Sequence, residues 1–176
     1  MQAEATTMTE TADVRQQFHD LLEQHRKVVF KVANTYCRDP HDRADLAQDI
    51  VTQSWRAFPR YDAARSFSTW LYRIALNVAI SSIRTTRLRD AHAVALDDEL
   101  HDIGIATPDA HTDERIGALY RVIDRLDPLN RALLLLYLDE KSYREIAEIL
   151  GLSETNVATK IGRLKQRLRE DLADHA

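Results

Sequence analysis

The chain is poor in residues that break helices, with 4 glycines and 4 prolines among 176 residues. So few turn signals favour long helical segments. Strand patterns are missing too. Val, Ile and Thr never alternate with polar residues over a strand's length, so no sheet is expected. The single cysteine, Cys37, excludes an internal disulfide framework and fits a reducing compartment. No apolar run approaches a membrane span, and "MQAEATTMTETADV" lacks the basic start and apolar core of a signal peptide. The expectation is a cytoplasmic, all-α protein.

Charge is present in quantity and is segregated. The net charge is -4, yet Arg56–Arg89 holds seven arginines (56, 60, 65, 73, 84, 87 and 89) against one acid, Asp62. Asp90–Glu114 holds eight acids and no Lys or Arg. Thr155–Arg169 then holds five bases and no acid. Two basic blocks suggest two polyanion contacts, and the acidic block between them suggests a solvated linker.

Periodicity places the elements. Residues 1–13 are polar and Thr-rich and are expected to be disordered. Val14, Phe18, Leu21, His25, Val28, Val32 and Tyr36 recur at helical spacing, and Pro40 marks the end of that helix. A second helix is expected from about Asp42 to Phe58, where Pro59 closes it. A third covers Ser66–Arg84, with Phe67, Trp70, Leu71, Ile74 and Val78 on one apolar face and Tyr72, Leu76, Ile80 and Ile83 on another. Between these faces runs a narrow polar stripe of Arg73, Asn77 and Arg84, with Ser81 nearby. A helix buried on two sides has little room for unpaired polar groups, so the stripe should face a groove. Arginine contacts to a nucleic-acid backbone and base contacts from Asn77 fit that placement. Tyr61, beside Arg60 and Arg65, is suited to stack an extruded base. Trp70, at helical spacing on an apolar face, is assigned to the core.

Residues 90–113 contain Gly104 and Pro108, show no sustained pattern and are expected to link two small domains, 14–89 and 114–172. In the second, Ile116, Leu119, Ile123 and Leu126 mark one helix, and "LDPLNRALLLLYL" a second with Asp127 as N-cap. The next segment is the most diagnostic. Ser142 caps a short helix, Gly151 ends it, and a new helix from Ser153 has Val157, Ile161, Leu164 and Leu168 as its core. Ala147 is small where the two helices must cross. This is a helix-turn-helix. On its second helix Thr155, Thr159, Gly162 and Gln166 point outward, Ala158 and Arg163 flank them, and Lys160, Lys165 and Arg167 sit where they reach phosphates.

With "DRADLAQDIVTQSWRAF", "FSTWLYRIALNVA" and this helix-turn-helix in order, the chain resembles bacterial RNA polymerase sigma factors of the short extracytoplasmic-function type. The resemblance spans roughly Val14–Arg89 and Glu114–Leu172. It implies that Asp45, Leu46, Gln48, Asp49 and Trp55 dock on the coiled coil of the polymerase largest subunit. In relatives another acid usually stands where Ala44 does. The resemblance further implies that Arg60, Tyr61, Arg65, Arg73, Asn77, Arg84 and Arg87 serve promoter opening and capture of the minus-ten element. Thr155, Ala158, Thr159, Lys160, Gly162, Arg163, Lys165 and Arg167 would serve the minus-thirty-five element. Many relatives carry arginine where Ala158 stands, which removes one possible guanine contact here. The acidic linker matches the segment that relatives thread toward the polymerase active centre. Core polymerase and promoter DNA are the implied partners, with an anti-sigma factor as is common in the family; no cofactor, metal, small-molecule substrate or catalytic site is implied.

Two other readings are weaker. A free-standing helix-turn-helix repressor leaves the arginine-rich Arg60–Arg89 region without work. A metal phosphohydrolase would rest on His41-Asp42 alone, without the further ligands such a centre needs.

Overall fold

No glycine or proline precedes Pro40, so nothing interrupts the first helix. In the computed structural model, which describes residues 2–93, 123 and 125–173 (side chains for 13–85, 123 and 125–171), helix α1 runs Gln2–Tyr36. The expected disorder of residues 1–13 is thus corrected from Gln2 on: their backbone is helical, propagated from the packed part of α1. Its buried face carries Phe18, Val28, Val29, Val32, Ala33 and Tyr36.

Helix α2 spans Pro40–Ala57. The Asp39 side chain caps it, accepting from the backbone N–H groups of His41 at 2.7 Å and Asp42 at 3.2 Å. Those bonds hold the Asp39 carboxyl below its usual range. Leu46, Ile50 and Ser54, four apart, form its buried row. A 3-10 turn, Phe58–Arg60, follows. Helix α3 spans Phe67–Ala93, so residues 90–93 of the expected linker extend a helix. Residues 94–113 of that linker, with Ile116 and Leu119, lie outside the described residues.

Ile123 and Arg125 are helical, and further along the described residues follow α4 (Pro128–Leu138), α5 (Tyr143–Leu150) and α6 (Glu154–Ala173). The expected caps are present. Asp127 accepts from the N–H groups of Leu129 and Asn130. Ser142 and Glu145 form a reciprocal capping box, and Ser153 Oγ accepts from Asn156 N. Gly151 is left-handed at φ 68°, with nothing within 4 Å of where a Cβ would stand. Val157, Ile161 and Leu164 are buried, and Ala147 is the small buried residue of α5.

These helices do not stand apart. Helix α3 packs on α1, α2, α4 and α5, and buried residues of both halves form one cluster. Polar bonds stitch the halves together. Tyr36 Oη donates to the Pro128 carbonyl at 2.7 Å, and Tyr72 Oη donates to Asp139 at 2.8 Å. Burial raises both phenols, Tyr72 to about 12.

Three substitutions test this local chemistry in urea unfolding. Gly151→Ala should cost about 1 kcal/mol through backbone strain alone, since no neighbour obstructs the methyl. Glu140 is the non-glycine with positive φ (56°) among the described residues, so Glu140→Gly should stabilise by several tenths of a kcal/mol. Ser142→Ala should cost about 1 kcal/mol at pH 7. The Ser142 N–H and hydroxyl both donate to Glu145, which lowers its pKa. A carboxyl lowered on folding stabilises above its unfolded pKa and loses that contribution as pH falls through its folded one. The gap between Ser142→Ala and the parent should therefore narrow below about pH 4.3, the ordinary glutamate value; a constant gap would contradict the hydrogen-bond account.

Candidate nucleic-acid interface

Two exposed surfaces carry positive charge. The first is the outer face of α6. Thr155, Ala158, Thr159, Gly162, Arg163 and Gln166 are all exposed, as their placement opposite Val157, Ile161 and Leu164 requires. Gly162 has no described atom within 4 Å of where a Cβ would stand. The Thr159 hydroxyl donates to the Thr155 carbonyl at 2.9 Å and keeps its oxygen free to accept. Arg163 and Arg167 are exposed, and Lys160 is half-buried. Lys165 sits 4.1 Å above the Tyr137 ring in a cation–π contact, so it is held at the helix shoulder.

The second surface is on α3. Phe67, Leu71, Tyr72, Ala75, Leu76 and Ala79 are buried, while Arg73, Asn77 and Arg84 are exposed on the opposite side. The stripe expected between two apolar faces is therefore present. Arg87 lies on the same helix, with its side chain outside the described residues. Asn77 opens onto a groove of ≈ 700 Å³ between α2 and α3, which Asp49, Gln53, Ser81 and Thr85 also line. Gln53 and Thr85 were not singled out from sequence. The signal was available, since Gln53 follows Asp49 by one turn and Thr85 follows Asn77 by two.

The loop before α3 corrects one expectation. Tyr61 is half-buried among Phe58, Phe67 and Trp70, with ring centroids at 5.8, 5.4 and 5.1 Å, and its hydroxyl donates to the Arg65 carbonyl at 2.7 Å. It is one wall of an aromatic cluster rather than a free platform with two open faces. Burial raises its phenol. Trp70 belongs to the same cluster. Arg60 is exposed, and Arg65 lies 3.9 Å from Asp62 and 3.6 Å from Glu148 of α5.

On α2, Asp45, Gln48 and Asp49 are exposed together. Leu46 is corrected: at 4% exposure it is a core residue that no partner can reach. Trp55 is partly exposed and leans on Phe18, ring centroids 5.2 Å apart. Sequence reasoning missed Phe30, which is 55% exposed beside an apolar groove of ≈ 320 Å³ between α1 and α2. Gln48 lines that groove as well.

His41 is exposed, and among the described residues no group of three or more His, Cys, Asp or Glu is placed to hold a metal. No described helix is long and apolar enough to cross a membrane.

Comparison with known proteins agrees with this geometry. The model of Sigma-70 region 2 matches residues 21–89, and that of Sigma-70 region 4 matches residues 116–168, together well over half of the chain. The chain is 28% identical to the extracytoplasmic-function (ECF) RNA polymerase sigma factor SigW of Bacillus subtilis, with 89% of each chain covered. It is 30% identical to the ECF sigma factor SigE of Mycolicibacterium smegmatis, covering 89% of this chain and 62% of that one. Among solved structures, CnrH in complex with the cytosolic domain of CnrY superposes with a TM-score of 0.58 at 24% identity, covering 91% and 87%. RpoE in complex with the anti-sigma factor NepR from Bartonella quintana does so with 0.65 at 18%, covering 92% and 97%. Both show that the fold is shared. Region 2 and region 4 in this order, on an all-helical chain with a basic stripe in one and a basic recognition helix in the other, make it a member of the ECF sigma factor family, a promoter-recognising transcription initiation factor that works with core RNA polymerase.

Proposed function

We propose that the two basic surfaces divide one promoter between them. Residues 14–89 form the unit that docks on polymerase and opens the minus-ten element, and residues 114–172 form the unit that reads the minus-thirty-five duplex. The observation that carries this reading is the exposed row Arg73, Asn77 and Arg84 on a helix whose other side, from Phe67 to Ala79, is core. Polar groups confined to one strip of such a helix have an outside partner as their natural use. Arg60, Arg65 and Arg87 hold the strand backbone, and Asn77 meets bases. Tyr61 contributes the edge of its aromatic cluster.

On α6, Thr155, Ala158, Thr159, Gly162 and Arg163 lie against base edges, while Lys160, Lys165 and Arg167 hold phosphates. Asp45, Gln48 and Asp49 form the face for the largest-subunit coiled coil, with Trp55 at its margin. Their two carboxylates one turn apart suit a basic partner. The protein acts by binding and positioning rather than as an enzyme, in the cytoplasm, on a signal-responsive set of promoters. An anti-sigma factor restrains it, in the manner of the RpoE relative solved with NepR.

The division of labour is testable with two variants. Arg163→Ala should weaken binding to a minus-thirty-five duplex by about ten-fold or more, the loss expected for one base contact, and spare polymerase association. Asp49→Ala should do the reverse. Equal loss of both activities in either variant would refute the assignment.

A further inference from the structure

The outward face of α6 is short of hydrogen-bond donors in its middle. Thr159 is exposed, and its hydroxyl donates to the Thr155 carbonyl at 2.9 Å, one turn back along the same helix. A hydroxyl has a single proton, so this one has none left to give outward. Its oxygen keeps lone pairs for accepting, and a methyl group stands beside it. Ala158 is exposed and offers a methyl alone. Gly162, one turn further, offers no side chain. Gln166, two turns beyond Thr159, turns its amide nitrogen to the Glu170 carboxylate at 3.1 Å, so a donor is spent within the helix there as well. Exposed side chains able to donate stand at the borders of this patch, at Thr155 and Asn156 before it and at Arg163 on its flank.

Major-groove chemistry decides what such a patch matches. Guanine presents two acceptors, N7 and O6, and is met by a side chain that donates. Adenine presents an amino donor beside N7, and thymine a C5-methyl group. Cytosine has the amino donor without the methyl. Methyl groups with a lone accepting oxygen therefore suit an adenine–thymine pair and leave both guanine acceptors unanswered. Polar atoms left unpaired where water is excluded cost more than a bond made there would gain.

We propose that Thr159 and Ala158 set the base preference of α6, with the Thr159 oxygen accepting from an adenine amino group, the Ala158 methyl against a thymine methyl, and guanine admitted at the Arg163 border. The proposal rests on the reading of α6 as the helix that enters the minus-thirty-five duplex, and adds which base pairs it favours. Thr159 discriminates through its bond to Thr155 rather than through residue type. A hydroxyl free to rotate serves donor and acceptor edges alike, whereas this one is held to accepting.

The test uses the full chain bound to core RNA polymerase. Promoters randomised around minus thirty-five are offered, and the bound sequences are read. Adenine–thymine pairs should be enriched at adjacent positions. On the best-bound promoter, deoxyuridine in place of each of those thymines removes only a methyl group. Binding should weaken about four-fold at the pair that Ala158 touches, the worth of one buried CH2-sized group. Ala158→Gly should bind the thymine and deoxyuridine promoters equally, a comparison within one variant that any loss of stability leaves unmoved. Thr159→Val keeps the shape of the side chain and removes the oxygen. It should bind the adenine-bearing promoter about five-fold more weakly, the worth of one hydrogen bond, and lose the enrichment of adenine at that pair. Equal binding of thymine and deoxyuridine promoters by the parent, or guanine enriched at the pairs these variants affect, overturns the assignment. A library bound with no preference around minus thirty-five sinks the minus-thirty-five reading itself. A preference that both variants leave unchanged overturns the roles of Thr159 and Ala158 alone.

Discussion

Helix α3 has to be core and contact surface at once. Leu71, Tyr72, Ala75, Leu76 and Ala79 are buried, and α1, α2, α4 and α5 all pack against it. Alanines 75 and 79, one turn apart, let those neighbours approach closely. Such a helix leaves only a strip for polar residues, because a guanidinium in the packed face would cost far more than one lost contact. Arg73, Asn77 and Arg84 occupy that strip. The exposed polar stripe is thus what remains after the core has taken its share, and a contact sited there inherits the rigidity of a well-packed element.

The second basic surface is built differently. Helix α6 presents its outer face because a short helix, a left-handed glycine and a serine cap set the angle at which it leaves the turn. Its bases sit on a two-helix frame with its own buried row, Val157, Ile161 and Leu164. One surface is carved from a hub and the other carried on a hairpin. The hub is surrounded by other helices, while the outer face of the hairpin's second helix is exposed. That asymmetry is what a factor reading two separated promoter elements needs.

Much of this was legible in the residues because the informative signals are local. Asp127, Ser142 and Ser153 announce helix starts through hydrogen bonds to residues two or three positions away, and all three caps are made; the Asp39 cap, which starts α2 at Pro40 rather than near Asp42, was not read. The recognition face of α6 follows from a spacing of three and four. What was not legible depends on contacts distant in sequence. Leu46 matches a docking motif, but its side chain points inward, and only the packing of α2 on its neighbours reveals that. Tyr61 lies between two arginines in the chain, whereas its ring is claimed by Phe58, Phe67 and Trp70. Asp139 carries no sequence signal for Tyr72, 67 positions away. The helical backbone of residues 2–13 departs from a compositional expectation for a simpler reason: nothing in that stretch breaks a helix already nucleated downstream.

On this reading the exposed strip of α3 is a promoter-opening surface rather than a solvated helix face. Permanganate reactivity of unpaired thymines, measured on a promoter with core polymerase, tests it most directly. The protein with Arg73, Asn77 and Arg84 all changed to alanine should fold, bind core polymerase as the parent does and leave the minus-ten thymines protected. Thymine reactivity equal to that of the parent would contradict the account.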